Sequence, residues 1–101
     1  MKLITEELEK LFLNYALYSQ EHEKDPLVIA KFFDPCGSAT WWLTEYDPNE
    51  KIAFGYVTGL IADEFGYTSI TELEEIKSPY GLTIERDLYF KQKRLSECVA
   101  L

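Results

Sequence analysis

A β-hairpin can be recognised near the middle of the chain, and it restricts the fold to one that contains antiparallel strands. The runs "TWWLTEY" (residues 40–46) and "KIAFGYV" (residues 51–57) are rich in aromatic and β-branched residues, which favour strands. The four residues between them, "DPNE", include an Asp-Pro pair that is typical of turns. Two such runs around a short loop predict neighbouring antiparallel strands.

Helix signals and further strand candidates lie on both sides of the hairpin. Thr5 is a predicted N-cap, followed by acidic residues and then by apolar residues at helical spacing. Ser69 is a second predicted N-cap, with Glu72 three residues later as in a capping box. Further strands are predicted at residues 27–33, 65–70 and 81–90.

This order of elements predicts a single α+β domain over residues 1–101. We expect a mostly antiparallel sheet built around the central β-hairpin. The N-terminal helix, which the apolar spacing extends to Tyr18, and the short second helix are expected to pack on the sheet.

The chain is acidic, and the acidity is confined to its first four-fifths. The net charge is −8, with six basic and fifteen acidic residues up to Tyr80 and four basic and three acidic residues after it. Because a negative surface repels phosphate, direct binding to nucleic acid is disfavoured. The same surface suits a basic groove on a protein partner, although solubility alone also explains acidity.

The sequence shows no membrane segment and no secretion signal. No run approaches the roughly 18 apolar residues that cross a bilayer, and the start "MKLITEELEK" lacks a signal-peptide pattern. Cys36 and Cys98 are too few for a disulfide framework and are expected to be reduced thiols. We therefore expect a cytoplasmic protein with no membrane partner.

Two predicted strands each place one charged residue on an otherwise apolar face. In residues 81–90, a period of two groups Arg86 with Leu82, Ile84, Leu88 and Phe90. In the hairpin, a register with Tyr46 opposite Lys51 leaves Glu45 as the only charge among Trp41, Leu43, Ile52, Phe54 and Tyr56. Because an unpaired buried charge is costly, we predict a structural ion pair between Glu45 and Arg86. Asp63 and Glu64 are the alternative partners for the arginine.

The opposite face of the hairpin suggests a binding surface. It carries Trp42, which the predicted register places opposite Gly55, and Tyr46. If these aromatic residues are exposed together they resemble an interface hot spot, and the alternative is that a helix covers them. The remaining candidate binding residues are acidic: Asp47, Asp63, Glu64, Glu85 and Asp87.

Closely spaced carboxylates are the main pattern that suggests catalysis. Glu45 with Asp47, or Glu85 with Asp87, could hold a divalent metal or act as general acid and base. Such spacing is common on strand surfaces, and neither a phosphate-binding glycine loop nor a second histidine beside His22 is present. We therefore predict no catalytic residues, no metal and no cofactor, and keep a small metal-dependent hydrolase or nuclease as an alternative.

Three longer segments carry a resemblance to a known family. They are "DPLVIAKFFDPCGSATWWLTEYDP", "FGYVTGLIADEFGYTSITELEEI" and "PYGLTIERDLYF". Together they resemble a family of small bacterial proteins designated domain of unknown function 2958. The resemblance implies a setting among accessory genes of plasmids, phages and integrated elements, and it implies no catalytic residues.

These observations favour a non-enzymatic, acidic protein-binding module. One version is an inhibitor of host defence, of the anti-CRISPR or anti-restriction type, that occupies a basic nucleic-acid groove. A homodimeric structural protein is a further alternative, because Leu13 and Leu17 widen the apolar stripe of the first helix.

Overall fold

Short helices and two β-sheets, joined by loops, form the fold of residues 2–100. The computed structural model describes residues 2–100. The helices are α1 (Glu6–Leu11), followed directly by a 3₁₀ turn (Phe12–Asn14), α2 (Ile70–Glu75) and α3 (Leu95–Cys98). The strands are β1 (Leu27–Val28), β2 (Ala30–Phe33), β3 (Thr40–Asp47), β4 (Ile52–Thr58), β5 (Glu64–Ser69), β6 (Glu85–Arg86) and β7 (Lys93–Arg94).

The main sheet is antiparallel and has five strands in the order β5-β4-β3-β2-β6. Strands β1 and β7 form a separate two-stranded antiparallel pair. The predicted hairpin corresponds to β3 and β4 at the centre of the main sheet. This arrangement, with an N-terminal helix and a short second helix, confirms the predicted α+β fold of a single small domain.

One face of the main sheet, here called the inner face, carries the hydrophobic core. Helix α1 and its 3₁₀ turn contribute Leu8 and Phe12, and α2 contributes Ile70 and Leu73. The strands contribute the buried residues Ala30, Phe32, Trp41, Leu43, Tyr46 and Ala53. Both predicted N-caps are confirmed, because the hydroxyls of Thr5 and Ser69 accept hydrogen bonds from backbone N–H groups three residues later.

The register of the hairpin differs from the one that the sequence predicts, and β3 contains a β-bulge. Asp47, rather than Glu45, lies opposite Ile52, and Leu43 lies opposite Gly55. Thr44 is the additional residue. The side chains that follow it therefore point to the faces opposite to those that uninterrupted alternation would give. At the bulge the strands approach closely: a Cβ atom at Gly55 would collide with the backbone oxygen of Trp42.

Three predicted elements are shorter than expected. Helix α1 ends at Leu11, and Leu13 beyond it is 70% exposed. The run at residues 27–33 is interrupted at Ile29, whose N–H donates to the carbonyl oxygen of Leu43. Of residues 81–90, only Glu85–Arg86 form a strand. None of the helices in residues 2–100 combines the length and apolarity needed to cross a membrane.

Candidate functional site

The face of the main sheet opposite the core, here called the outer face, carries a group of aromatic side chains. Tyr56 on β4 lies opposite both Trp42 on β3 and Phe65 on β5. Phe54 lies opposite Tyr67 in the next row of the same face. These positions alternate with inner-face residues because successive side chains of a strand point to opposite sides.

Four of these rings contact one another across β4 and β5. The rings of Phe54 and Phe65 stack with centroids 5.9 Å apart, and Phe54 contacts Tyr67 edge-on at 4.9 Å. Tyr56 contacts Phe65 edge-on at 4.9 Å. Nevertheless, Phe65 remains 45% exposed and Tyr67 57% exposed. Within residues 2–100, β5 pairs only with β4, so these two rings lie on an open edge strand.

Trp42, a predicted binding residue, is half-buried on the outer face. The C-terminal part of the chain covers it, since the ring of Phe90 packs edge-on against it at a centroid distance of 6.3 Å. The Nζ atom of Lys31 lies 5.0 Å from the centre of its ring, and its Nε1–H donates to the hydroxyl of Thr58. Trp42 is therefore held in place by three neighbours of the same chain.

Tyr46, the other aromatic residue predicted to bind, lies on the inner face and is buried. Because the bulge reverses its direction, its ring packs against Phe12 at a centroid distance of 5.6 Å. Burial raises the pKa of the Tyr46 phenol above its ordinary value. The structure thus corrects its assignment from a surface contact to a core residue.

Glu45 is buried, with 3% of its surface exposed, and it anchors a neighbouring loop. Its Oε1 atom accepts from the N–H of Tyr18 and its Oε2 atom accepts from the N–H of Gln20, both at 2.8 Å. These charge-assisted bonds stabilise the carboxylate away from water. They also hold residues 18–20 against the outer face, next to Phe54.

The side chain of Gln20 completes this anchor. Its Nε2 group donates to the carbonyl oxygens of Leu27 and Thr44, at 2.8 and 2.9 Å. Its Oε1 atom accepts from the N–H of Leu27 at 2.7 Å. Loop residues 15–26, here called the anchor loop, are therefore fixed to the sheet by buried hydrogen bonds at Gln20 and Glu45.

Glu45 and Arg86 have partners different from those that the sequence predicts. Strand β2 separates their strands, and Arg86 lies opposite Phe32 on β2. The Nη1 group of Arg86 donates to the hydroxyl of Thr5, the N-cap of α1, at 2.9 Å. The expected Glu45–Arg86 pair is corrected accordingly: backbone amides satisfy the carboxylate, and the guanidinium contacts the N-cap of a helix.

The predicted acidic residues near the hairpin and β5 occupy turns or the strand end. Asp47 accepts from the N–H of Asn49 in the hairpin loop. Asp63 accepts from the N–H of Gly59 in the β4–β5 connection. Glu64 is exposed at the start of β5. The two aspartates thus have local hydrogen-bonding roles that require no ligand.

The other two predicted acidic residues lie at the opposite edge of the sheet. Glu85 belongs to β6, and Asp87 forms an ion pair with Lys31 at 3.5 Å. No group of three or more histidine, cysteine, aspartate or glutamate side chains suited to a metal ion occurs within residues 2–100. The pair Glu45 and Asp47 lies on β3, and the pair Glu85 and Asp87 lies at β6, on the other side of β2. The structure therefore does not bring the two carboxylate pairs together.

A cavity of about 320 Å³ opens between the anchor loop and the outer face. Its lining includes the aromatic residues Tyr18, Phe54, Phe65 and Tyr67 and the acidic residues Glu21, Glu23 and Glu45. A side-chain hydrogen bond with Tyr18 raises the pKa of the Tyr67 phenol above its ordinary value, and partial burial and the nearby carboxylates add to this shift. Tyr18 and Tyr67 thus both line this cavity.

Sequence reasoning did not select Tyr18, Phe65 and Tyr67 as binding residues. The alternation in "EFGYTS" places Phe65 and Tyr67 on one face of a strand, which was a usable signal. Nothing local indicates that this strand lies at the sheet edge. Tyr18 belongs to the residues that the apolar spacing assigns to the first helix, and long-range hydrogen bonds such as the one from its N–H to Glu45 bring it to the site instead.

Comparison with known proteins identifies a family but no activity. A family model described as "Protein of unknown function (DUF2958)" matches residues 3–101, which is nearly the entire chain. No curated protein and no solved structure gives a significant match.

Proposed function

Because the chain belongs to the DUF2958 family, whose description gives no activity, we propose a function from its geometry: a non-enzymatic protein-binding module that docks a basic partner on strand β5. The observation that carries the proposal is the pair of exposed rings, Phe65 and Tyr67, on an open edge strand. Exposed aromatic side chains beside unpaired backbone groups are typical of surfaces that receive an extended peptide segment.

The inner-face side of β5 supports docking at the same strand. Leu60, Ile61 and Ile76 are exposed there, and Ile61 has no cover at all. They border an open groove of about 1040 Å³ that also reaches Phe65 and Tyr67. An edge strand with apolar surface on both sides favours association with another chain, and within β5 there is neither a lysine nor a proline to discourage it.

Charge determines the kind of partner. The chain carries a net charge of −8, and Glu64 is exposed at the start of β5. Glu21 and Glu23 line the cavity beside Tyr67. A basic segment would therefore be attracted to this edge, whereas an acidic one would be repelled.

Affinity capture from host lysate tests the proposal. We expect wild-type protein to retain a stoichiometric protein with a basic surface, and the variant Phe65→Ser/Tyr67→Ser to lose it. The matched control is Tyr80→Ser/Leu88→Ser, which removes two other exposed apolar side chains and leaves β5 intact. Absence of a stoichiometric partner, or its retention by the β5 variant, would contradict the proposal.

The narrower version is that this partner is a cytoplasmic host-defence protein whose nucleic-acid groove the acidic surface occupies. The acidic charge and the mobile-element setting implied by the family resemblance support it. Expression of the chain in cells that carry restriction or CRISPR interference should then raise the survival of incoming DNA. If survival of incoming DNA were unchanged and the captured partner had no role in host defence, this version would be rejected. The proposal of a protein-binding module would not be affected.

A second copy of the chain is the other candidate occupant of β5. An antiparallel pair of β5 strands centred on Gly66 would place Phe65 of one copy opposite Tyr67 of the other, on the same face. Sedimentation at high protein concentration distinguishes the two. A dimer that Phe65→Ser/Tyr67→Ser dissociates would favour a homodimeric structural protein, and a monomer would exclude it.

A further inference from the structure

The cavity between the anchor loop and the outer face combines two features that recognise cations. Aromatic rings attract a positive charge through their negative faces, and Tyr18, Phe65 and Tyr67 are all exposed beside this cavity. Glu21 and Glu23 add negative charge at its rim. No lysine, arginine or histidine is among the described residues that line it. The cavity is therefore negative in potential and open to solvent.

Glu45 gives the cavity a buried carboxylate whose hydrogen-bond donors, among residues 2–100, are backbone N–H groups. Within residues 2–100, no lysine, arginine or histidine lies within ion-pair distance of its carboxylate. Each carboxylate oxygen accepts one backbone hydrogen bond and retains a second acceptor position. Because a buried charge without a counter-charge is costly, a bound cation would stabilise this carboxylate.

The position of Tyr18 shows that the cavity wall is held under strain. Its φ angle is 74°, in the left-handed region that residues other than glycine seldom adopt. The bond from its N–H to Glu45 helps to keep it there, and the side chain remains 63% exposed rather than packed in the core. Backbone strain of this kind concentrates at sites that bind ligands.

We propose that this cavity, here called the cation cavity, binds the ammonium or guanidinium group of a lysine or arginine side chain. The rings of Tyr18, Phe65 and Tyr67 surround the cationic group. The carboxylates of Glu21 and Glu23 attract it from the rim, and Glu45 lies behind it. The site binds and carries out no chemical step.

The source of the cation rests on the proposed function, because the side chain would come from the partner docked on β5. Phe65 and Tyr67 line both the cation cavity and the groove on the other side of the strand. A segment paired with β5 therefore runs directly beside the cavity, within reach of a long basic side chain. A free amino-acid cation shares the same chemistry and is the second source to be tested.

Titration of the ¹⁵N-labelled protein with small probes tests the site itself. The probes are N-acetyl-arginine amide and N-acetyl-lysine amide, with N-acetyl-norleucine amide as the neutral control of similar length. We expect the cationic probes to shift the backbone resonances of Tyr18, Phe65 and Tyr67, and norleucine amide to leave them unchanged. Equal shifts with norleucine amide, or no shifts with either cation, would overturn the proposal.

Two variants of equal net charge distinguish binding in the cation cavity from general attraction of a cation to an acidic protein. Glu21→Gln/Glu23→Gln and Glu50→Gln/Glu75→Gln remove the same net charge, but Glu50 and Glu75 are exposed outside the cavity lining. We expect the first pair to weaken binding of arginine amide by about tenfold, and the second to change it by less than about twofold. If both pairs weakened the binding of arginine amide equally, binding would depend on net charge alone and the proposed site would be wrong.

Partner capture separates failure of this inference from failure of the proposed function. If the partner is retained by wild type and lost by Glu21→Gln/Glu23→Gln alone, the partner supplies the cation. If both variants retain the partner, the partner does not use the cation cavity and this inference fails, while the proposed function stands. If the cationic probes bind and no partner is found, the proposed function fails and the free cation is the ligand.

Discussion

Glu45 holds Tyr18 in a left-handed backbone conformation by accepting its N–H at 2.8 Å. The bond joins the middle strand of the sheet to a loop that lies 27 residues earlier in the chain. It positions an exposed aromatic ring beside the outer face, next to the edge strand. A residue expected to stabilise the sheet through a salt bridge thus positions a wall of the candidate binding site instead.

Replacing Glu45 by glutamine is expected to lower the free energy of unfolding by about 1–3 kcal/mol. Glutamine retains one acceptor oxygen, so one of the two loop N–H groups loses its partner and faces an NH₂ group. Urea denaturation measures the change, and Glu50→Gln in the hairpin loop is the control. Equal stability of the two variants would show that the buried hydrogen bonds to Tyr18 and Gln20 contribute little.

Two glycines that lie opposite each other on β4 and β5 should respond differently to alanine. A Cβ atom at Gly55 would collide with the backbone of Trp42 and lie 2.8 Å from the Cα of Leu43, whereas a Cβ at Gly66 would meet no atom within 4 Å. Gly55→Ala should therefore destabilise the fold by about 1–3 kcal/mol or more, and Gly66→Ala should be neutral or slightly stabilising. Thermal melts of both variants test the difference, and similar midpoints would contradict the close approach at the bulge.

The buried phenol of Tyr46 predicts a loss of stability at high pH. Because burial raises its pKa in the folded state, its contribution is fully present below the unfolded pKa of about 10 and is lost as the pH rises through the folded value. Urea unfolding between about pH 8 and pH 11 should show a shallower decline for Tyr46→Phe than for wild type. The exposed Tyr80→Phe is the control, and it should leave the decline unchanged. A wild-type slope in Tyr46→Phe would contradict the burial argument.

Divalent metals are expected to leave the melting temperature unchanged. Asp47 accepts a hydrogen bond within its own loop, and Asp87 pairs with Lys31 at the far edge of the sheet. A ligand that binds the folded state raises stability with concentration, so titration with Mg²⁺, Mn²⁺ and Ca²⁺ is a direct measurement. A saturable increase that is lost in Asp87→Asn would restore the metal-dependent hydrolase or nuclease alternative.

The sequence was informative where local patterns determine structure. The hairpin, the N-caps at Thr5 and Ser69 and the antiparallel α+β arrangement all follow from short-range signals. Glu45 is buried, but loop N–H groups on the outer face surround it, rather than the apolar stripe and the arginine from which the sequence argued.

The binding surface could not be predicted in the same way, because long-range contacts create it. The bulge at Thr44 depends on how closely two strands pack, and it reverses the direction of Tyr46. The order of strands decides that Phe65 and Tyr67 lie at an edge, and it also decides that Arg86 is two strands away from Glu45. Neither the bulge nor the strand order leaves a periodic signal in the chain.

Because Thr44 is an extra residue in β3, the number of residues in this part of the strand determines which side chains face the core. Removing one residue from positions 44–47, or inserting one, would exchange the sides on which Glu45 and Tyr46 project. The Glu45 carboxylate would then face the hydrophobic core, and the Tyr46 phenol would face the opposite side of the sheet. Natural variants of this short stretch should therefore differ in length only by even numbers of residues.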